Sequence, residues 1–142
     1  MPGILVGVDG SAHSKDALEW AAKEAALRHT SLTVLTVRQA VADVWGSTSH
    51  YTGDESLVEK ARVAAQAETD SVVSTLADGR PESVTVKATQ GIPAEEILNE
   101  GADADMIVLG SRGGGGFARL LLGSVSSTVV EHAKVPVMIL PA

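Results

Sequence analysis

Five short apolar runs alternate with four stretches of helical periodicity along this chain. The runs are Ile4 to Val8, Leu32 to Val37, Val84 to Ala88, Met106 to Leu109 and Val137 to Leu140, most of them rich in β-branched residues. A strand that is apolar on both faces needs cover on both. Such strands with amphipathic segments between them therefore predict a parallel sheet with helices on either side. Right-handed crossovers make this an open, doubly wound α/β fold. The expected architecture is a single domain over residues 1–142, with five parallel strands in the order 3-2-1-4-5. A chain of 142 residues is too short for two ordinary domains, and it shows no internal repeat, low-complexity tract or linker.

The helical segments follow from apolar spacing. Residues 14 to 29 place Ala17, Leu18, Ala21, Ala22, Ala25 and Ala26 on one stripe, with Ser14 as expected N-cap and Asp16 in the first turn. Residues 54 to 76 form the longest segment, with Leu57, Ala61, Ala64, Ala65, Val72 and Leu76 on its expected buried side, ended by Asp78-Gly79-Arg80-Pro81. A short helix opens at Pro93, where proline suits the first position, and runs to about Gly101. The last runs from Ser124 to His132 despite its β-branched residues. Residues 39 to 53, rich in Gly, Ser and Thr, read as a loop.

In doubly wound sheets, ligands bind beyond the carboxyl ends of the strands at the topological switch point. Two places qualify here: Asp9-Gly10-Ser11 after the first strand, and the glycine-rich segment from Gly110 to Gly123 after the fourth. Glycines permit positive φ and close approach of the main chain to a ligand, and their amides can ring an anion. Gly123-Ser124 stands where the next helix begins, so unpaired N–H groups and a partial positive charge meet the same loop. Ser124, Ser126 and Ser127 add hydroxyls. A glycine-rich loop alone is often only a flexible turn. Four consecutive glycines, Gly113 to Gly116, are costly to order, and their place between strand and helix favours an anion site.

Two familiar phosphate motifs are excluded in their usual forms. None of the five lysines, at positions 15, 23, 60, 87 and 134, follows a glycine as a Walker A loop requires. The first strand-to-helix turn, Asp9-Gly10-Ser11-Ala12-His13, lacks the dinucleotide fingerprint. The spacing present is Gly110, two residues, Gly113, nine residues, Gly123-Ser124, that is Gly-x2-Gly-x9-Gly-[Ser/Thr]. With it come Val6-Gly7-Val8-Asp9-Gly10-Ser11, Gly91-Ile92-Pro93 and Val135-Pro136-Val137. In these motifs the chain resembles, from end to end, the ATP-binding universal stress proteins.

That resemblance implies a bound adenine nucleotide, ATP with Mg2+, and a role as a nucleotide-dependent regulatory switch in stress response. Gly7 and Asp9 would lie at the adenosine part, and the backbone of Val37 would meet the adenine edge. Gly110, Ser111, Arg112, Gly113, Gly114, Gly115 and Gly116 would carry ribose and phosphate. Gly123, Ser124, Val125 and Ser126 would hold the phosphate end. The resemblance also implies a homodimer paired through the terminal strand Val137 to Leu140, an apolar sheet edge open to pairing.

Read on chemistry alone, Asp9 is either a ribose or Mg2+ ligand or a cap on the first turn, and its switch-point position favours the ligand. Arg112 can pair with phosphate or stand in solvent as a loop charge, and Arg119 equally so. His13, His29, His50 and His132 show no ligand-like spacing and suit surface or capping positions. Trp20 suits the core or its edge. Leu120-Leu121-Leu122 folds over a ligand or packs on the sheet. No Gly-x-Ser-x-Gly elbow, paired carboxylates or phosphate-side lysine are evident, so at most weak ATP hydrolysis is expected. The alternatives are a slow ATP hydrolase or a phosphoryl- or nucleotidyl-transfer enzyme of the adenine-nucleotide α-hydrolase-like group, and an interaction protein with a vestigial site.

Charge and composition narrow the partners. Eleven Lys and Arg against eighteen Asp and Glu give a net charge of −7, which repels nucleic acid. Aromatic residues are 3%, too few for a base-stacking platform. The absence of cysteine excludes a disulfide scaffold and thiolate chemistry. No basic leader and no long apolar span are visible, so no membrane partner and a cytoplasmic location are expected. A small anion remains compatible with the acidic balance, because glycine amides and a helix N-terminus hold it without formal charge.

Overall fold

Each strand of the sheet is flanked by a helix that buries one of its faces. A computed structural model of the chain describes residues 3–39, 54–111 and 122–141. The elements follow in the order β1 (Gly3–Val8), α1 (Ala12–Leu27), β2 (Ser31–Gln39), α2 (Asp54–Ser74), β3 (Ser83–Gly91), α3 (Pro93–Glu100), β4 (Met106–Gly110), α4 (Ser124–His132) and β5 (Val137–Leu140). All strand pairs are parallel, and the order is β3-β2-β1-β4-β5, as the alternating pattern predicts.

The period of two along the strands divides the core. Ile4, Val6 and Val8 of β1, Leu32 and Val34 of β2, and Met106 and Val108 of β4 pack with α1 and α2. Leu5, Leu35, Ile107 and Leu109 face the other side and pack with α3 and α4. Both faces of the central strands β1 and β4 are dry, so these two carry apolar residues at nearly every position, whereas the edge strand β3 is largely exposed over its first half. Fully burying one such side chain contributes about 1.5–3 kcal/mol.

Helix α1 presents its small-residue stripe as expected, with Ala17, Leu18, Ala21, Ala22 and Ala25 buried. Its start differs from the sequence expectation. Ser11, not Ser14, is the N-cap, and the Ser11 hydroxyl accepts the Ser14 amide at 3.2 Å. Ser14 lies inside the first turn, so Asp16 falls beyond it. His29 adopts positive φ, 53°, just past α1, while the Thr30 amide returns to the Ala25 carbonyl at 3.0 Å. This satisfies the helix end in the manner usually given to glycine. On α2, Ala65 and Val72 are buried while Ala64 is exposed. Thr69 takes a place in the buried stripe, its hydroxyl bonded back to the Ala65 carbonyl at 2.7 Å. Trp20 is half-buried against the same core.

Strand lengths shape the crevice above the sheet. β2 pairs with β1 only as far as Val8–Thr36, then continues for three residues beside β3, through Val37–Thr89, Arg38–Gln90 and Gln39–Gly91. β4 pairs with β1 only to Val6–Val108 and then continues beside β5 to Gly110–Leu140. The chain of β1 meanwhile turns away at Asp9-Gly10, where Gly10 has φ of 84°. A cleft is left between the projecting ends of β2 and β4, at the point where the strand order reverses.

Candidate functional site

That cleft is a cavity of about 460 Å³, within the range of small-molecule sites. Its floor is Gly7, Val8 and Asp9 at the end of β1, and Leu109 and Gly110 at the end of β4. One wall is Leu35, Val37 and Gln39 of β2, with Pro93 and Ile97 of α3. The opposite wall is the start of α4, from Gly123 to Ser126, and Ser14 of α1 closes the set.

Gly7 is a matter of packing. A Cβ there would stand 2.8 Å from Leu109 Cδ2 and 3.3 Å from Ile97 Cδ1, so its absence lets two cavity-lining side chains close over the strand. Gly110 is similarly crowded: a Cβ would stand 3.1 Å from the His13 carbonyl oxygen, so β4 and the first turn of α1 approach main chain to main chain.

The Asp9 turn is held by serines. The Ser11 amide donates to Asp9 Oδ1 at 2.9 Å, and the Asp9 amide donates to the Ser14 hydroxyl at 3.2 Å. The Ser14 hydroxyl in turn donates to the Ser11 carbonyl at 3.1 Å. Desolvation by neighbouring atoms pushes the Asp9 carboxyl up, but hydrogen bonds from Ser11, Ser14 and its own amide outweigh it. The carboxyl is therefore held below the ordinary aspartate range and is a charged acceptor at neutral pH. Asp9 thus caps the turn and also lines the cavity.

The α4 wall is built around Ser126, which is 3% exposed. Its hydroxyl donates to the Ser111 carbonyl at 2.7 Å and accepts from the Gly123 amide at 3.0 Å. The Gly123 amide also donates to the Ser111 carbonyl, at 2.6 Å. This lock uses the Ser126 side chain internally, leaving its backbone amide for a ligand. The amides of Ser124, Val125 and Ser126 occupy the first three helical positions of α4, which have no intrahelical acceptor. Three N–H groups and the positive end of the helix dipole therefore face the cavity. Ser124 is exposed and adds a hydroxyl.

Of the residues expected to bind, Gly7, Asp9, Val37, Gly110 and Gly123 to Ser126 line one cavity. Ser111 lies just behind it, buried, its amide donating to the Leu140 carbonyl at 2.9 Å. Arg112 and Gly113 to Gly116 lie outside the described residues, as do Arg119 and residues 40–53. Sequence reasoning missed Gln39, Leu35, Pro93 and Ile97, and also Val8, Ser14 and Leu109. A period-two continuation from Val37 back to Leu35 and on to Gln39 carried the signal for two of them. Among the described residues no group of three or more His, Asp or Glu side chains could hold a metal alone, and no helix is long and apolar enough to cross a membrane.

Comparison with known proteins bears on what such a cleft serves. Residues 2–141 match the sequence profile of the Universal stress protein family. Universal stress protein Rv1996 of Mycobacterium tuberculosis is 35% identical over 151 residues, covering 98% of this chain and 48% of the relative. The chain therefore spans about half the length of the curated relatives it matches. Among solved structures, universal stress protein UspA from Lactobacillus plantarum superposes with a TM-score of 0.78 at 27% identity, covering 98% of this chain and 97% of that one. Two further structures share the fold. One is a universal stress protein in complex with cAMP, with TM-score 0.68, 21% identity and coverage of 99% and 96%. The other is the Archaeoglobus fulgidus protein in complex with dAMP, with TM-score 0.56, 22% identity and coverage of 98% and 97%.

Proposed function

This chain belongs to the universal stress protein family, and from that premise we propose that it binds an adenine nucleotide, ATP with Mg2+, as a regulatory switch. The observation that carries the reading is the pairing of two unlike walls across one cleft. The β2 wall is flat, largely apolar and edged by strand backbone that has lost its β1 partner, which suits a base. The α4 wall offers three unpaired amides and a hydroxyl, which suits a phosphate. The complexes of two fold relatives with cAMP and dAMP support an adenine nucleotide over another anion.

The residues fit magnesium as a companion of the phosphates. Among the described lining residues one carboxylate, Asp9, is present, and Mg2+ is commonly held by one or two carboxylates together with phosphate oxygens. When bound, the ion would neutralise phosphate charge. The chain's own residues orient the nucleotide: Asp9 accepts hydrogen bonds, Ser124 to Ser126 donate them, and Ser126 fixes the helix end against Ser111.

Isothermal titration with ATP, AMP and cAMP, with and without Mg2+, tests the reading. Saturable binding of at least one is expected, with negligible turnover. Hydrolysis at several per second, abolished by Asp9→Ala, would overturn the switch in favour of an enzyme. We also propose a homodimer through β5. That edge strand is Val-Met-Ile-Leu without a charged residue, whereas the opposite edge, β3, carries Lys87. A monomer in sedimentation equilibrium at micromolar concentration would contradict it.

A further inference from the structure

The apolar wall of the cleft ends in a side chain that no motif points to. Along β2 the period of two puts Leu35, Val37 and Gln39 on the same face, all lining the cavity. Leu35 and Val37 pack into the core, and the facing Pro93 and Ile97 of α3 are apolar. Gln39 is thus the polar side chain at this end. It is exposed and makes no hydrogen bond to another described residue. The polar side chains elsewhere in the lining are differently placed: Ser14 and Ser126 are engaged in internal hydrogen bonds, and Asp9 and Ser124 lie toward the β1 turn and α4.

We propose that Gln39 reads the nucleotide base, making adenine the preferred purine. The inference rests on the nucleotide reading of this cleft and adds a specificity residue to it. A carboxamide offers one acceptor and two donors in a plane, so it can pair two ways with adenine. Gln39 Oε1 accepts from the exocyclic amino group, and Nε2 donates to the neighbouring ring nitrogen, the pairing glutamine makes with adenine in other settings.

The register defines what stands beside this end of β2. Gly91 stands opposite Gln39 in the β2–β3 register, and the Glu96 side chain closes over it. Glu96 Oε2 lies 3.2 Å from where a Gly91 Cβ would stand. On the N6/N7 edge that makes this pair with adenine, guanine presents two acceptors, O6 and N7, and leaves Gln39 Oε1 without a donor.

AMP and GMP differ only in the base, so their affinities for the wild type and for Gln39→Ala isolate this contact. Because Gln39 is exposed, the truncation leaves the core untouched. Wild-type protein is expected to favour AMP over GMP. Gln39→Ala should weaken AMP about tenfold or more and GMP by a smaller factor, so that the preference for AMP falls. AMP affinity within twofold of wild type in Gln39→Ala would overturn the role of Gln39 while leaving the nucleotide site standing. Failure of the wild type to bind either nucleotide would overturn both readings.

Discussion

The Ser126 hydroxyl donates to the Ser111 carbonyl at 2.7 Å while accepting the Gly123 amide at 3.0 Å. One buried side chain thereby ties the end of β4 to the start of α4, and so pins both ends of the glycine-rich segment. The helix end that borders the cleft is thereby tied to β4.

Ser126→Ala removes this lock. A buried hydrogen bond contributes about 1 kcal/mol and a lost helix cap about 0.5–2 kcal/mol. We expect a loss of roughly 1–2 kcal/mol in urea unfolding, together with weaker nucleotide binding. Ser126→Thr keeps the hydroxyl and should recover most of the affinity. Equal affinity in wild type and Ser126→Ala would show that the lock does not position the site.

Gly7→Ala tests the floor of the cleft. The new methyl meets Leu109 and Ile97, both nearly fully buried, and overpacking of this kind costs about 1–3 kcal/mol. Relief comes only by moving side chains that line the cavity, so nucleotide affinity should fall with stability. A variant as stable as wild type by chemical denaturation would contradict the packing account.

Asp9 gives a pH prediction with a definite sign. Its folded-state pKa is lowered, so its contribution to stability is present above the unfolded aspartate pKa and is lost as pH falls through the folded value. Carboxyl titration by NMR should place Asp9 below about 3.9, the ordinary aspartate value. Ser11→Ala should move it upward. Part of the stability lost in that variant belongs to the helix cap and is independent of pH; the part owed to Asp9 should vanish in acid. An Asp9 titration unchanged by Ser11→Ala would refute the assigned cause.

Much of this was legible in the residues. The apolar runs located every strand, and Gly110, Gly123 and Ser124 marked the cleft by their place at the switch point and by the motif through which the chain resembles its family. The misplacements have physical reasons. Ser11 and Ser14 stand three apart, each able to cap, and their mutual hydrogen bond decides between them. The ends of β2 and β3 were cut short because Arg38, Gln39, Thr89 and Gln90 carry no apolar signal where the strands project beyond their neighbour. Gln39 was missed for the same reason. Its importance comes from a missing β1 partner, which is a property of the assembled sheet.

The central claim is that a nucleotide spans the cleft from the β2 wall to the α4 N-terminus. Amide chemical-shift mapping of the labelled protein during titration with Mg-ATP tests it most directly. The account predicts large, saturable shifts at Ser124, Val125 and Ser126 together with Val37 and Gln39. Saturation with shifts confined to other residues, or no shift at millimolar nucleotide, would contradict it.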